Sequence, residues 1–320
     1  MILTLILAIS LFLATNMGTS GFSISFAPSY ASGIINKKMA VILYTLFLTM
    51  GALIIGPKVV ETLTMKLVNT LDHNISGLLI LSSASLTMFM ANILKIPQST
   101  SFIIVGSFAG AGIYFEKFNY LKLIEIFVAA VIFSFLAFIL TYFIMKLFYP
   151  PREQNFRIYE KITARNSFIK KFILYANCYA AFAIGTNNVA NVVAPLVISN
   201  IGISKHYLLL ICAPFFGLGA LLLGKGVINT VSKEIIPLGE ISAMVISFVT
   251  SSFVITASLL GLPTPYVQFT TFSVLAISIV KDGMKITSKK GIVRKTFLVW
   301  FITPFITLWL TFFLHKIFVN

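Results

Sequence analysis

The stretch "GTNNVANVVAPLV", Gly185–Val197, lies inside a long apolar run from Phe172 to Asn200. Its first half carries Thr186, Asn187, Asn188 and Asn191 beside Gly185. In water such a string reads as a turn. In hydrocarbon, each polar group left without a partner costs on the order of 2–7 kcal/mol. Four of them in one span therefore imply a helix interrupted at depth, with its polar groups lining a cavity or meeting other protein.

The surrounding sequence requires a membrane. The chain has 320 residues, 58% of them hydrophobic and only 10% charged, with a mean hydropathy of +0.98. Apolar stretches of about 18–25 residues recur from end to end, the length that a hydrocarbon core of roughly 30 Å demands of a helix. Barrel strands alternate in polarity and these runs do not, so a β-barrel is excluded. The expectation is an all-α polytopic membrane protein. The net charge of +15 does not point to nucleic acid, because the basic residues sit in short loops between spans. Cys178 and Cys212 lie in apolar segments and read as small buried hydrophobes. The opening "MILTLILAISLFLATN" lacks a basic leader and reads as a retained first span.

The chain divides into two halves of about five segments each. Residues 1–148 form the first: an interrupted span over Ile2–Ser32, a span over Met39–Pro57, a hairpin with arms Ile75–Leu94 and Ser99–Phe115, and a closing span over Leu121–Leu147. A hydrophilic linker, 149–171, follows. Residues 172–320 begin again: an interrupted span over Phe172–Asn200, then Tyr207–Leu223, a hairpin with arms Ile235–Leu260 and Thr264–Val280, and Ile292–Phe318. Three pairs recur in the same order. "ATNMGTSG" (Ala14–Gly21) matches "GTNNVANV" (Gly185–Val192), "GALIIGPKVVETL" (Gly51–Leu63) matches "GALLLGKGVINTV" (Gly219–Val231), and "ANILKIP" (Ala91–Pro97) matches "ASLLGLP" (Ala257–Pro263).

An odd number of crossings per half sets the halves in opposite orientations. Lys37 and Lys38, the linker basic residues Arg152, Arg157, Lys161, Arg165, Lys170 and Lys171, and the Lys281–Lys295 loop then all fall inside. The positive-inside rule thus gives two inverted-topology repeats in the plasma membrane, with both termini outside. Inverted repeats with broken helices and helical hairpins mark secondary transporters.

Half-helix N-termini offer free N–H groups and partial positive charge, which suits an anion. "PQSTS" (Pro97–Ser101) adds the hydroxyls of Ser99, Thr100 and Ser101, and "PTPY" adds Thr264. Asn16, Thr19 and Ser20 in the first half, with Asn187 and Asn191 in the second, complete the expected anion-binding set. All arginines lie in loops, so an arginine clamp is not the device. Lys95, at the first hairpin tip, is either a counter-charge for the anion or a lysine snorkelling to the surface. Thr15, Asn188, Glu61 and Glu240 are the candidates for a coupling ion. Glu61 and Glu240 would carry a proton, or else are solvated interfacial carboxylates. His73, His206 and His315 read as loop residues without a role, and no cofactor or metal is expected.

These motifs resemble the Pit-type inorganic phosphate transporter family, whose hallmark is a duplicated Gly-Ala-Asn-Asp-Val-Ala-Asn-Ala motif. "GTNNVANV" is similar to the second copy and "ATNMGTSG" more distantly to the first. "IPQSTSFIIVGSFAGAG" resembles the first hairpin, with its Pro-Val-Ser-Thr-Thr-His motif, while "GLPTPYVQ" keeps only the proline frame of the second. On this resemblance Asn16 and Asn187 match the motif asparagines, and Asn191 the later one, which is Ser20 in the first copy. The family aspartates, similar to sodium ligands, are Met17 and Asn188 here. A hard cation favours charged oxygens, so the resemblance as it stands in this chain implies protons rather than sodium. "NMGTSGFSISFAPSYASGIINKK" looks closest to the sulfate permease branch. Phosphate near neutral pH keeps a P–OH donor that wants an acceptor, whereas sulfate needs only donors. The function implied is a symporter of a tetrahedral oxyanion, sulfate before phosphate, working as a homodimer. A sodium-coupled phosphate transporter is the alternative within the family. An intramembrane lipid-phosphate phosphatase would need an Arg–Glu–Ser constellation that the spans lack, and a passive anion channel would not drive uptake uphill.

Overall fold

The computed structural model describes residues 2–26, 29, 33–69, 71, 74–93, 98–148, 160, 166–223, 239–288 and 291–319. The described chain is nearly all helix, and its one β feature is an isolated bridge between Val68 and Phe118. Helix α1 spans Ile2–Ser25, α2 Lys37–Ile54 and α3 Gly56–Glu61, continued by a π-helical turn, π1, over Thr62–Lys66. The first hairpin is α4 (Asn74–Ile93) and α5 (Thr100–Tyr114), followed by α6 (Tyr120–Phe148). The second half runs α7 (Asn166–Ile184), a π turn π2 (Gly185–Val189), α8 (Ala190–Ile198) and α9 (Lys205–Leu223). It ends with α10 (Glu240–Leu259), α11 (Tyr266–Asp282), the short α12 (Met284–Ser288) and α13 (Gly291–Phe318).

Among the described residues seven helical stretches are long and apolar enough to cross a bilayer, and the two arms Ile75–Ala91 and Thr100–Tyr114 are shorter. They are not equivalent. The window within Ile169–Ile198 is 89% buried, against 22% for Tyr120–Leu147. The asparagine-bearing span is therefore the axis of the molecule, and α6 is peripheral. Along α6, Leu121, Ile124, Val128, Val131 and Phe135 face outward, a surface that requires hydrocarbon around it. This is a multi-pass membrane protein.

Local chemistry places the helix ends. Asn36 caps α2 by accepting from the Met39 N–H, and Ser99 caps α5 by accepting from the Phe102 N–H. Pro57 stands in the first turn of α3, where its missing N–H parts α2 from α3 at Ile55.

The two halves pack reciprocally. α1 lies on α9, and its counterpart α7 lies on α2. α5 lies on α13, and α11 on α6. α1 meets α4 as α7 meets α10, and α4 meets α13 as α10 meets α6. Each half thus completes its neighbour.

Several expectations change. The first span does not part at Gly18 and Gly21, since α1 is helical through to Ser25. Its hydroxyls and amide bond the carbonyls of their own helix, so no backbone group needs to be freed there. The second span is interrupted only by a π turn, a one-residue expansion that keeps the chain helical. Past the Met39–Pro57 span, whose apolar part ends at Ile54, the chain stays helical through α3 and π1 to Lys66. α7 already begins at Asn166, inside the expected linker, most of which lies outside the described residues. α10 begins at Glu240 rather than Ile235, and residues 235–238 are likewise outside. His315 is not a loop residue. It is fully buried in the last turns of α13, with its Nδ1 2.8 Å from the Thr311 carbonyl and its ring against Tyr114 and Phe115.

Candidate functional site

The site begins with a close crossing. A Cβ on Gly185 would sit 2.7 Å from the carbonyl carbon and 2.9 Å from the Cα of Leu48, so only glycine lets α2 touch the start of π2. The widened turn that follows carries Thr186, Asn187 and Asn188, all buried. Their side chains reach the starts of both hairpin return arms.

Ser101 is the hub. Its hydroxyl donates to the Thr264 carbonyl at 3.0 Å. It accepts from Asn187 Nδ2 at 2.8 Å and from Asn191 Nδ2 at 3.1 Å. Asn187 Nδ2 also donates to the Thr264 carbonyl at 2.6 Å, with Asn188 Oδ1 a distant 3.4 Å away. One residue before Asn187, the Thr186 hydroxyl donates to Ser258 Oγ at 2.9 Å. Ser101 stands in the first turn of α5, and Thr264 just precedes α11. Two helix N-termini, one from each hairpin, therefore meet on the second-half asparagines. First-turn N–H groups have no acceptor within their own helix, and the helix dipole makes that end electropositive.

The cluster is not self-sufficient. Asn187 Oδ1, Asn191 Oδ1 and the Thr264 hydroxyl are buried without a hydrogen-bond partner among the described residues. Folded proteins seldom leave such atoms unpaired, and three around one serine mark a place for a polar guest. None of the hydrogen bonds in the cluster uses a carboxylate. The chemistry on offer is neutral: hydroxyls, amides and helix N–H groups, a donor set without a fixed counter-charge.

The expected site residues divide. Ser101, Asn187, Asn191, Asn188 and Thr264 come together, although Thr264 contributes its carbonyl to the network rather than its hydroxyl. Ser99 and Thr100 are buried at the start of α5, Ser99 as the cap. The first-half set stays apart. Asn16 Nδ2 donates to the Phe12 carbonyl at 3.1 Å, Thr15 to Leu11 at 2.8 Å and Ser20 to Met17 at 2.9 Å. Thr19 donates to Thr15 and, across the crossing, to the Gly219 carbonyl, each at 3.1 Å. Glu61 pairs with Lys66 at 3.1 Å, both half exposed. The Lys66 ammonium, by hydrogen bond and charge, holds the Glu61 carboxyl below the usual carboxylate range. Lys95 and His73 lie outside the described residues, as does the side chain of Glu240.

The glycine crossings also reset the internal alignment. Gly18 packs on the Phe216 backbone and Gly219 on Thr15; in the other half Gly185 packs on Leu48 and Gly51 on Phe182. With Gly51 paired to Gly219, Leu48 is the counterpart of Phe216, and Gly18 that of Gly185. "GTSG" (Gly18–Gly21) then overlies "GTNN" (Gly185–Asn188), so Ser20 rather than Asn16 stands where Asn187 does. The displacement is about one helical turn. Its cause is steric, because the register of a helix crossing is set by the residue that has no side chain.

Two contributors were not singled out in the sequence. Ser258 answers Thr186, and Lys58 Nζ donates to the Leu259 carbonyl at 3.3 Å. Ser258 had a signal, a hydroxyl just before the hairpin tip in the repeated "ASLLGLP".

Comparison with known proteins gives the family and the fold. A sequence model described as "Phosphate transporter family" matches residues 17–160 and 150–311. The chain is 34% identical over 314 residues to a Bacillus subtilis protein named "Sulfate permease CysP", covering 97% of this chain and 86% of that one. It is 25% identical over 310 residues to a putative phosphate permease of Methanocaldococcus jannaschii, covering 97% and 96%. A solved structure titled "The sodium-dependent phosphate transporter" superposes with a TM-score of 0.79 over 99% of both chains at 18% identity, which speaks to the fold alone.

Proposed function

Because the chain belongs to the phosphate transporter family, we propose that it is a secondary active symporter of an inorganic tetrahedral oxyanion across the plasma membrane, sulfate before phosphate, driven by protons. The observation that carries this reading is the Ser101 cluster, where two helix N-termini and the second-half asparagines converge with no carboxylate in the network. Sulfate is fully ionised and asks only for donors, while phosphate brings a P–OH that a carboxylate would accept. The resemblance to a protein named as a sulfate permease supports the same order. The two repeats are inverted, with both termini outside, and the anion binds where their hairpin tips meet. Access alternates as one half moves against the other, and the working unit is a homodimer. Neither Glu61, paired with Lys66, nor the first-half asparagine enters the anion site, so the coupling proton is assigned to Glu240.

A second reading is favoured by a specific observation. Asn187 Oδ1 and Asn191 Oδ1 are buried acceptors without partners among the described residues. Together with the Thr264 and Asn188 oxygens they form a neutral oxygen set that sodium could use, and relatives named as sodium-dependent phosphate transporters exist.

The test is uptake into liposomes of labelled sulfate and labelled phosphate, each under an inward proton gradient, an inward sodium gradient or none. Uphill sulfate uptake that needs the proton gradient supports the first reading. Uphill phosphate uptake that needs sodium replaces it with the second. Flux that only follows the anion gradient would make the protein a channel and remove both.

A further inference from the structure

The tip of the second hairpin is held on two sides. The Ser101 cluster takes Thr264 and Ser258. α3 takes the residues between. Lys58 Nζ donates to the carbonyl of Leu259 at 3.3 Å, the last residue of α10. Carbonyls at a helix C-terminus lack partners within the helix, and a cation there complements the dipole. Two residues further, Gly261 has φ +74°, and a Cβ there would lie 2.8 Å from Thr62 Oγ1 and 3.1 Å from the Lys58 carbonyl oxygen. At Gly261 the tip therefore comes close to both the Thr62 hydroxyl and the Lys58 carbonyl. Thr62 is fully buried, and its hydroxyl has no partner among the described residues. The Lys58 ammonium is thus the polar bond between α3 and the tip that these contacts supply. The Gly261 and Leu262 N–H groups close α10 on the Ser258 and Ala257 carbonyls; beyond that cap, as far as Pro265, the chain is not helical, and Thr264 is placed by what the tip rests on.

We propose that Lys58 is a positioning residue for the anion site: by capping the Leu259 carbonyl it seats the α10–α11 tip against α3, and so sets where the Thr264 carbonyl meets Ser101 and Asn187. The inference rests on the reading of the Ser101 cluster as the anion site. The chemistry of the latch is a cation on a helix C-terminus. Arginine should therefore replace lysine, whereas methionine, of similar length and without charge, should not.

The test uses the full chain in liposomes, in a background with Cys178→Ala and Cys212→Ala. Leu262 is buried at the tip, 4% exposed, so Leu262→Cys with a membrane-permeant maleimide reports tip seating whatever the substrate is. Sulfate KM and Vmax are measured alongside, with Ser101→Ala as the site control. In Lys58→Met, labelling should accelerate and KM should rise by roughly 2- to 30-fold, the range of coupling effects through intermediate residues, with Vmax within about twofold and Lys58→Arg close to wild type. Unchanged labelling in Lys58→Met would overturn the latch. A raised KM with unchanged labelling would also overturn it, because the charge would then act on the anion directly. Accelerated labelling together with an unaffected KM in both Lys58→Met and Ser101→Ala would keep the latch and refute the assignment of the anion site.

Discussion

Ser101→Ala is the sharpest test of the cluster. The substitution removes one donor and one acceptor and leaves the helix start intact, because the cap belongs to Ser99. Three hydrogen bonds converge on the lost hydroxyl: one given to the Thr264 carbonyl and two received from Asn187 and Asn191. Asn187 keeps the Thr264 carbonyl at 2.6 Å, while Asn191 loses the acceptor of its amide. Hydrogen bonds between membrane helices average about 0.6 kcal/mol, so three are worth about 2 kcal/mol. That corresponds to roughly a 30-fold change in an equilibrium constant. If the three unpartnered atoms around Ser101 face the anion, most of this should appear as a weaker sulfate Kd, measured on purified protein by calorimetry or by thermal shift against sulfate. Ser101→Thr keeps the hydroxyl and should recover most of the affinity. A Ser101→Ala protein with wild-type Kd and wild-type melting temperature would refute the placement of the site.

Further outcomes follow from other parts of the molecule. Gly185→Ala forces a methyl into the Leu48 backbone; overpacking of this kind costs about 1–3 kcal/mol, so thermostability and uptake should both fall, whereas Gly239→Ala, which meets no atom within 4 Å, should leave both unchanged. Asn188→Asp puts a carboxylate beside the cluster and should weaken sulfate uptake by roughly tenfold or more, the scale of about 1.4 kcal/mol of repulsion, while sparing phosphate more; an unchanged sulfate-to-phosphate ratio would contradict the donor-only account of selectivity. Glu61 has a depressed folded-state pKa, so its pairing is present above the ordinary carboxylate value of about 4.3 and is lost only as pH falls through the lower folded value. Glu61→Gln should therefore leave the pH profile of uptake unaltered between about pH 5 and 8, and a displaced limb in that window would restore Glu61 as a proton carrier.

Much of this was legible in the chain before any coordinates. Unbroken apolar runs of bilayer length can only become spanning helices, because hydrocarbon offers backbone groups no other partner. The pair "ANILKIP"/"ASLLGLP" marks the tips of both hairpins. Asn187, Asn191 and Ser101 could be chosen because polar groups in an apolar span demand a reason.

The tertiary structure decided which polar groups actually meet. Asn16 and Asn187 look equivalent as letters, yet a helical asparagine can satisfy itself on the carbonyl one turn back, as Asn16 does on Phe12. Sequence pattern does not say whether a side chain will bond its own helix or another. Only packing could show that Gly18 and Gly185 share a register, that the tip at Gly261 rests on α3, and that His315 is buried. Those facts are set by close approach between segments far apart in the chain. Hydrophobic length determines that these helices form, and steric fit between them determines where the polar site stands.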